Sequence, residues 1–273
     1  MDAEHAAKRR FVIGGTDISA IIGCNPWRTA LDVYMDKTGM SEPTPDNPAM
    51  YWGRSLEANI ARRYAEDHSV ELAEPGFMVH PEHPWWGGSP DRRVVGQPLG
   101  LEIKTAGWRA RDKWGAPGTS EVPENYLVQC AWYMPLMDVD TMDIPVLFSG
   151  AEYAEYTVKR DLELEAMLGE AAEKFVRDHI DKHLPPEMRE PVSAERYVKA
   201  MYPANTHPLV QADPELTKVI SELRDARSEL AKAEKREALL TAQVKAAIGD
   251  ADGVSSELGN LTWKSAKGRA SLA

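Results

Sequence analysis

The spacing of apolar residues along this chain alternates between helical and extended periods. Gly14-Gly15 reads as a turn that feeds a short helix starting near Thr16-Asp17. After Pro26-Trp27 a second helix is expected over about 29–37, with Thr29 as its N-cap. A polar, proline-rich loop follows over 41–48. Trp52, Leu56, Ile60 and Tyr64 recur every four residues, which predicts a third helix over about 50–67 with one buried stripe. Residues 70–80 read as a strand. Val94, Val95, Leu99, Leu101 and Ile103, with Gly96-Gln97-Pro98 between them as turn chemistry, predict a hairpin within 85–105. Beyond a loop over 106–121, the pattern gives a helix over about 123–134, strands near 141–148 and 153–158, and a helix over 161–183.

The pattern then changes. Residues 184–212 are broken by prolines at 185, 186, 191, 203 and 208, and read as a linker holding one short helix near 194–201. From Asp213, an N-cap with Pro214 in the first turn, Leu216, Val219, Leu223, Ala226, Leu230, Ala233, Leu240, Val244 and Ala247 keep a three-four alternation interrupted only by Glu237. This heptad seam suits either an intramolecular arrangement, as a helical hairpin or docked onto the core, or coiling between chains. Gly249 ends it, and residues 260–264 read as a short strand. The expected organisation is a core over 1–183, a Pro-rich linker over 184–212 and a helical, coiled-coil-like appendage over 213–273.

Composition narrows the chemistry. No apolar run is long enough to span a membrane, and the N-terminus carries no apolar signal region. The expectation is a cytoplasmic protein. Cys24 and Cys130 form no CxxC pair, which argues for a reducing compartment and against a zinc or iron–sulfur cluster. The net charge of −11 is unfavourable for a partner such as DNA. Arginines and lysines nevertheless concentrate around 54–113 and at Arg9-Arg10, so positive charge is expected locally.

The hairpin carries the candidate chemistry. Alternation places Glu102 and Lys104 on one face and Leu101 and Ile103 on the other. Asp91 lies on the partner strand, directly after Gly87-Gly88-Ser89-Pro90, glycines that suggest a close backbone approach. A solvated face with a cross-strand ion pair is the plain reading of such residues. The sharper one is a divalent-metal site for phosphodiester hydrolysis, with two Mg2+ ions that Mn2+ could replace. In it Asp91 bridges the metals, Glu102 and the Ile103 carbonyl hold one of them, and Lys104 orients the attacking water. Glu57, on the third helix, is expected to face the sheet and join the metal ligands. Gln129, on the helix after the hairpin, suits a DNA phosphate or supports Lys104, with Tyr126 one turn earlier also toward the substrate.

The order helix-Glu57, Pro90-Asp91, Glu102-Ile103-Lys104, helix-Gln129 resembles the PD-(D/E)xK nuclease superfamily. With Gly14-Gly15-Thr16-Asp17, Cys24-Asn25-Pro26-Trp27 and Trp52-Gly53-Arg54, it is more closely similar to the YqaJ-type viral recombinase, or lambda-exonuclease-like, family. One departure is visible: Ala131 and Trp132 stand where a second polar residue usually follows the motif glutamine. The resemblance implies an α/β (α+β) restriction-endonuclease-like core, a central mixed sheet flanked by helices, with the long helix and short strand appended. It implies that Arg9, Thr16 and Ser89 hold a 5′-phosphate. It further implies a Mg2+-dependent 5′→3′ exonuclease on linear double-stranded DNA ends, making 3′ single strands for phage recombination. Its partners would be a single-strand annealing protein and copies of itself in a ring, commonly a trimer. An endonuclease, a RecB-like processing nuclease and a silent DNA-end-binding protein are the alternatives.

Overall fold

The computed structural model describes residues 8–41, 45–204, 208–266 and 269–272. The chain divides into two compact units, Met1–Asn205 and Thr206–Ala273.

Local chemistry sets the first helices. α1 (Gly15–Ile21) starts where the Gly14 amide donates to Asp17 Oδ2 at 3.0 Å. α2 (Ala30–Lys37) starts at a reciprocal cap in which Asp32 N donates to Thr29 Oγ1 (3.3 Å) and Thr29 N donates to Asp32 Oδ2 (2.9 Å). α3 (Pro48–His68) is capped by Asn47 and ends at Ser69. Its expected stripe is buried only in part: Ile60 and Tyr64 are buried, Leu56 is half-buried and Trp52 is exposed. The apolar residues of the sheet that meet this helix, Ile103, Leu101 and Val94, reach it from Leu56 onward, so the first turns find no apolar partner.

The segment 70–80 is not one strand. Pro75-Gly76, with Gly76 at φ 74°, splits it into β1 (Leu72–Ala73) and β2 (Met78–Val79). β2 pairs with β3 (Gly87–Gly88) in a separate ribbon. The main sheet begins with β1 on β4 (Arg92–Val94), which forms the expected hairpin with β5 (Leu99–Leu101), Arg92 opposite Leu101. β6 (Lys104–Ala106) continues the path of β5. Both run parallel to β7 (Thr141–Phe148) in a single register, Leu101 opposite Asp143 and Lys104 opposite Val146, so Glu102-Ile103 interrupts the ladder without shifting it. α4 (Glu124–Met137) is the crossover between β6 and β7, and β8 (Glu152–Lys159) closes the other edge antiparallel to β7. Between β6 and α4, Trp108–Lys113 forms a 3-10 segment in the expected loop.

The result is a mixed sheet between helices. α3 packs on the face of Leu101 and Ile103, and α4 covers the opposite face, where Met137 presses on Gly100. α5 (Leu162–Phe175), capped by Asp161, continues into a π turn at Val176–Ile180. Residues 184–212, expected as a linker, contain α6 (Pro191–Met201). α6 packs on α2: Ser193 Oγ donates to Asp32 Oδ2 at 2.7 Å, and Tyr197 lies 6.4 Å from the Tyr34 ring.

The second unit begins with α7 (Pro214–Ile248), capped by Asp213 and ended by Gly249 at φ 61°. β9 (Gly253–Ser256), β10 (Gly259–Ala266) and β11 (Arg269–Leu272) follow as a small antiparallel sheet.

Candidate active site

The pleat of the interrupted strand sends Leu101 and Ile103 toward α3 and Glu102 and Lys104 toward α4. Across the hairpin, Asp91 Oδ2 accepts from the Ile103 amide at 2.7 Å, which fixes Asp91 beside Glu102. Lys104 Nζ donates to Glu102 Oε1 and sits 5.0 Å over the Tyr126 ring. Glu102 is 2% exposed, and its Oε2 is buried with no hydrogen-bond partner. Glu57 joins from α3, but its Oε1 accepts from Arg92 Nη1 at 2.9 Å. Arg92 also donates to the Asp91 carbonyl (2.6 Å) and reaches Glu74 at 3.3 Å.

Burial dominates the electrostatics here. It pushes the Glu102 carboxyl up to about 8, helped by the negative charge of Asp91 and opposed by Lys104. Asp91 is also raised by burial, against the pull of Lys104 and the Ile103 amide. Burial opposes the Lys104 ammonium, yet Glu102 and Asp91 outweigh it and hold Lys104 above the ordinary lysine value. Three carboxylates (Asp91, Glu102, Glu57) thus face two cations (Lys104, Arg92), and one buried carboxylate oxygen is left without a donor. An unmatched hard oxygen in an acid-rich cluster fits a divalent cation. No three His, Cys, Asp or Glu side chains among the described residues gather closely enough to hold an ion alone. Two carboxylates, a backbone carbonyl and substrate oxygens are what Mg2+ commonly takes.

A second polar site lies beside the first. Arg9, Thr16 and Ser89, far apart in sequence, line one cavity of about 180 Å3 together with Gly14, Gly88 and Tyr133. Its walls are the two glycine turns. A Cβ on Gly88 would stand 2.6 Å from Tyr133 Cε1, and one on Gly15 2.7 Å from Gln129 Cγ, so α4 tolerates only glycine at both turns. Gln129 hydrogen-bonds the Tyr133 hydroxyl, and Tyr133 lines this cavity. Trp132 binds the turns together: its Nε1 donates to the Ile13 carbonyl (3.0 Å) and the Gly87 carbonyl (3.1 Å). Trp86 stacks on Trp132 at 4.1 Å and donates to its carbonyl at 3.0 Å.

Several contributors were given no role of their own in the sequence reading. Beneath the cavity Asp17 is buried, paired with Lys37 at 2.7 Å and Arg28 at 2.9 Å. Burial raises its pKa, but these two cations outweigh it and keep Asp17 below the usual carboxylate value. No local pattern links Asp17 to Lys37. Tyr133 was signalled by its place one turn after Gln129, and Arg92 by its place directly after the acid.

Residues 4–140 match the YqaJ-like viral recombinase domain. The chain is 29% identical over 203 residues to the uncharacterized protein YqaJ of Bacillus subtilis (strain 168), covering 73% of this chain. It spans 63% of that relative's length. Its fold is similar to that of the alkaline exonuclease LHK-Exo from Laribacter hongkongensis (TM-score 0.55, 17% identity, 74% of this chain and 100% of that one). The structure of LHK-Exo in complex with dAMP gives a TM-score of 0.52 at 19% identity, over 72% of this chain and 95% of that one. The domain match takes in half of the chain, including both glycine turns, Glu57, Asp91, Glu102, Lys104 and Gln129, and the chain belongs to the YqaJ-like viral recombinase family, with a PD-(D/E)xK nuclease-type fold.

Proposed function

We propose that this protein is a divalent-metal-dependent exonuclease of linear double-stranded DNA ends, degrading 5′→3′ and leaving 3′ single strands for phage-type recombination. The observation that carries the reading is the buried, partnerless Glu102 Oε2 beside Asp91 and Lys104. Asp91, Glu102 and the Ile103 carbonyl would hold Mg2+, as two ions or with Mn2+ in its place, and Glu57 would join on releasing Arg92. Bound there, the metal supplies a nucleophile at neutral pH and stabilises charge on the leaving oxygen.

The chain's own residues do the rest. Lys104, desolvated between two acids, presents an ammonium that orients the attacking water and offsets negative charge as it develops. Tyr126 backs the Lys104 ammonium with its ring. Arg9, Thr16 and Ser89 bind the terminal 5′-phosphate in the neighbouring cavity, with Tyr133 in its wall and Gln129 packed behind Gly15. An end-binding pocket next to a hydrolytic cluster favours exonuclease over endonuclease action. LHK-Exo, whose fold this chain shares, is described as an alkaline exonuclease and has been seen with dAMP, in keeping with nucleotide chemistry on this fold. A single-strand annealing protein and a ring of copies complete the proposed setting, in the host cytoplasm.

The test is digestion of linear duplex with and without a 5′-phosphate, in Mg2+ or EDTA, with a covalently closed circle alongside. The expected result is metal-dependent loss of linear DNA, faster with the phosphate, and an intact circle. Undigested linear duplex in Mg2+ and Mn2+ would reject the proposal, and a cut circle would reject the exonuclease mode.

A further inference from the structure

We infer that the long helix α7 (Pro214–Ile248) is a self-association module that pairs antiparallel with α7 of a second copy of this chain. This inference is independent of the nuclease reading.

The helix is continuous over 35 residues, about 50 Å at 1.5 Å per residue. Its heptad positions run without a break: Leu216, Leu223, Leu230, Glu237 and Val244 at a, and Val219, Ala226, Ala233, Leu240 and Ala247 at d. Leu216, Val219, Leu223, Leu230 and Leu240 are all exposed. Near the end of the helix, Lys245 lies 5.8 Å over the Trp263 ring, so the small sheet takes that side, away from the d positions. A row of exposed leucines with this period is a coiled-coil seam wanting a partner.

The flanking charges decide which partner and which direction. In a parallel pair Glu237 would meet its own copy in the seam, and Glu229 would face Glu234 across the flank. In an antiparallel pair centred on Leu230 opposite Ala233, Glu237 meets the small Ala226, and Leu223 meets Leu240. The flanks then match: Arg227 faces Glu234 on one side and Glu229 faces Arg236 on the other, each twice by symmetry. The register is also protected against error. A slip of one heptad one way sets Arg227 and Glu229 each against its own copy. A slip the other way does the same to Glu234 and Arg236. Self-complementarity in one register only, with a two-fold relation between copies, is the signature of an isologous interface. The antiparallel arrangement also aligns each helix's N-terminus with its partner's C-terminus, which suits the helix dipoles.

The experiment measures the mass of the full chain by sedimentation across a concentration series. Leu223→Glu combined with Leu230→Glu should halve the assembly mass. Arg236→Glu should weaken association on the order of tenfold, because matched flank pairs become like charges. Adding Glu229→Arg to Arg236→Glu exchanges both partners and should restore it. Direction is read by disulfide formation in a Cys24→Ser background. Leu230→Cys chains mixed with Ala233→Cys chains should cross-link to each other, and Leu230→Cys alone should not. A mass unmoved by the two leucine substitutions overturns the inference, whether the seam then serves another protein or nothing. So does a failure of the exchanged pair to restore association while circular dichroism shows the helix intact. Cross-linking of Leu230→Cys to itself overturns the direction.

Discussion

Replacing Glu102 by Gln should make the metal-free protein more stable at alkaline pH while abolishing its proposed activity. Burial and Asp91 raise the Glu102 carboxyl from 4.5 to about 8 in the folded protein. The folded state therefore binds this proton more tightly than the unfolded chain does. That contribution is fully present below about pH 4.5 and is lost as pH rises toward 8, where ionised Glu102 must be kept inside the protein. A displacement of that size corresponds to about 5 kcal/mol of destabilisation above pH 8, at roughly 1.4 kcal/mol per unit. Gln cannot ionise, keeps an acceptor for Lys104, and leaves an unpaired amide where Oε2 was, which costs about 1–2 kcal/mol. The net expectation is about 3 kcal/mol of stabilisation near pH 8, or about 6–12 °C in Tm for a unit of this size. Near pH 4.5 the gain should vanish and the unpaired amide alone should show.

Thermal unfolding of both proteins in EDTA between about pH 5 and 8 gives the comparison, and the same series in Mg2+ adds a second arm. Metal should raise the Tm of the wild type and leave Glu102→Gln unmoved, because binding to the folded state alone stabilises it. A variant no more stable than the wild type at pH 8, or a difference that does not change with pH, would refute the reasoning.

Lys104→Met should reduce cleavage of linear duplex by at least about a hundredfold, a typical cost of losing a preorganised charge-stabilising group, with circular dichroism unchanged. Arg9→Ala with Ser89→Ala should erase the preference for 5′-phosphorylated ends while sparing slow cleavage of unphosphorylated ones; the ratio of the two rates is the measurement. Trp132→Phe removes the hydrogen bonds to Ile13 and Gly87, each worth about 1 kcal/mol, and keeps a ring against Trp86. It should lower Tm and blunt the phosphate preference without altering the pH dependence of cleavage.

What the sequence revealed follows the range of the forces involved. The hairpin was legible because alternation and the Gly96 turn are local, and the structure keeps both: Leu101 and Ile103 are buried toward α3, with Glu102 and Lys104 opposite. The caps at Thr29, Asn47, Asp161 and Asp213 are equally local. The strand over 70–80 misled because its apolar residues concealed a proline-glycine break. The stripe on α3 misled because helical period says which residues share a face, and not how far the opposing sheet extends. Arg92 pairing with Glu57 depends on packing α3 against β4, which no spacing encodes. Much of the expected local positive charge is likewise neutralised nearby: Arg54 pairs with Asp46 at 2.5 Å, Arg63 with Asp67 at 2.6 Å and Arg111 with Glu152 at 2.9 Å.

That neutralisation sharpens the place of α4 in the molecule. With many arginines already committed to neighbouring acids, the attraction for DNA that the proposed function requires would come from a few fixed groups and not from general charge. α4 packs against Lys104 and against the glycine turns beside the others. Tyr126 lies under Lys104, Gln129 and Tyr133 press on the glycine turns beside Arg9, Thr16 and Ser89, and Trp132 ties Ile13 to Gly87. One helix therefore sets the separation between the polar cavity and the acid cluster. Trp132, which stands where the resemblance led to the expectation of a polar residue, is buried in the core and joins Ile13 to Gly87. In an enzyme that grips a strand end and cuts close to it, that fixed separation would set how far from the end each cut falls.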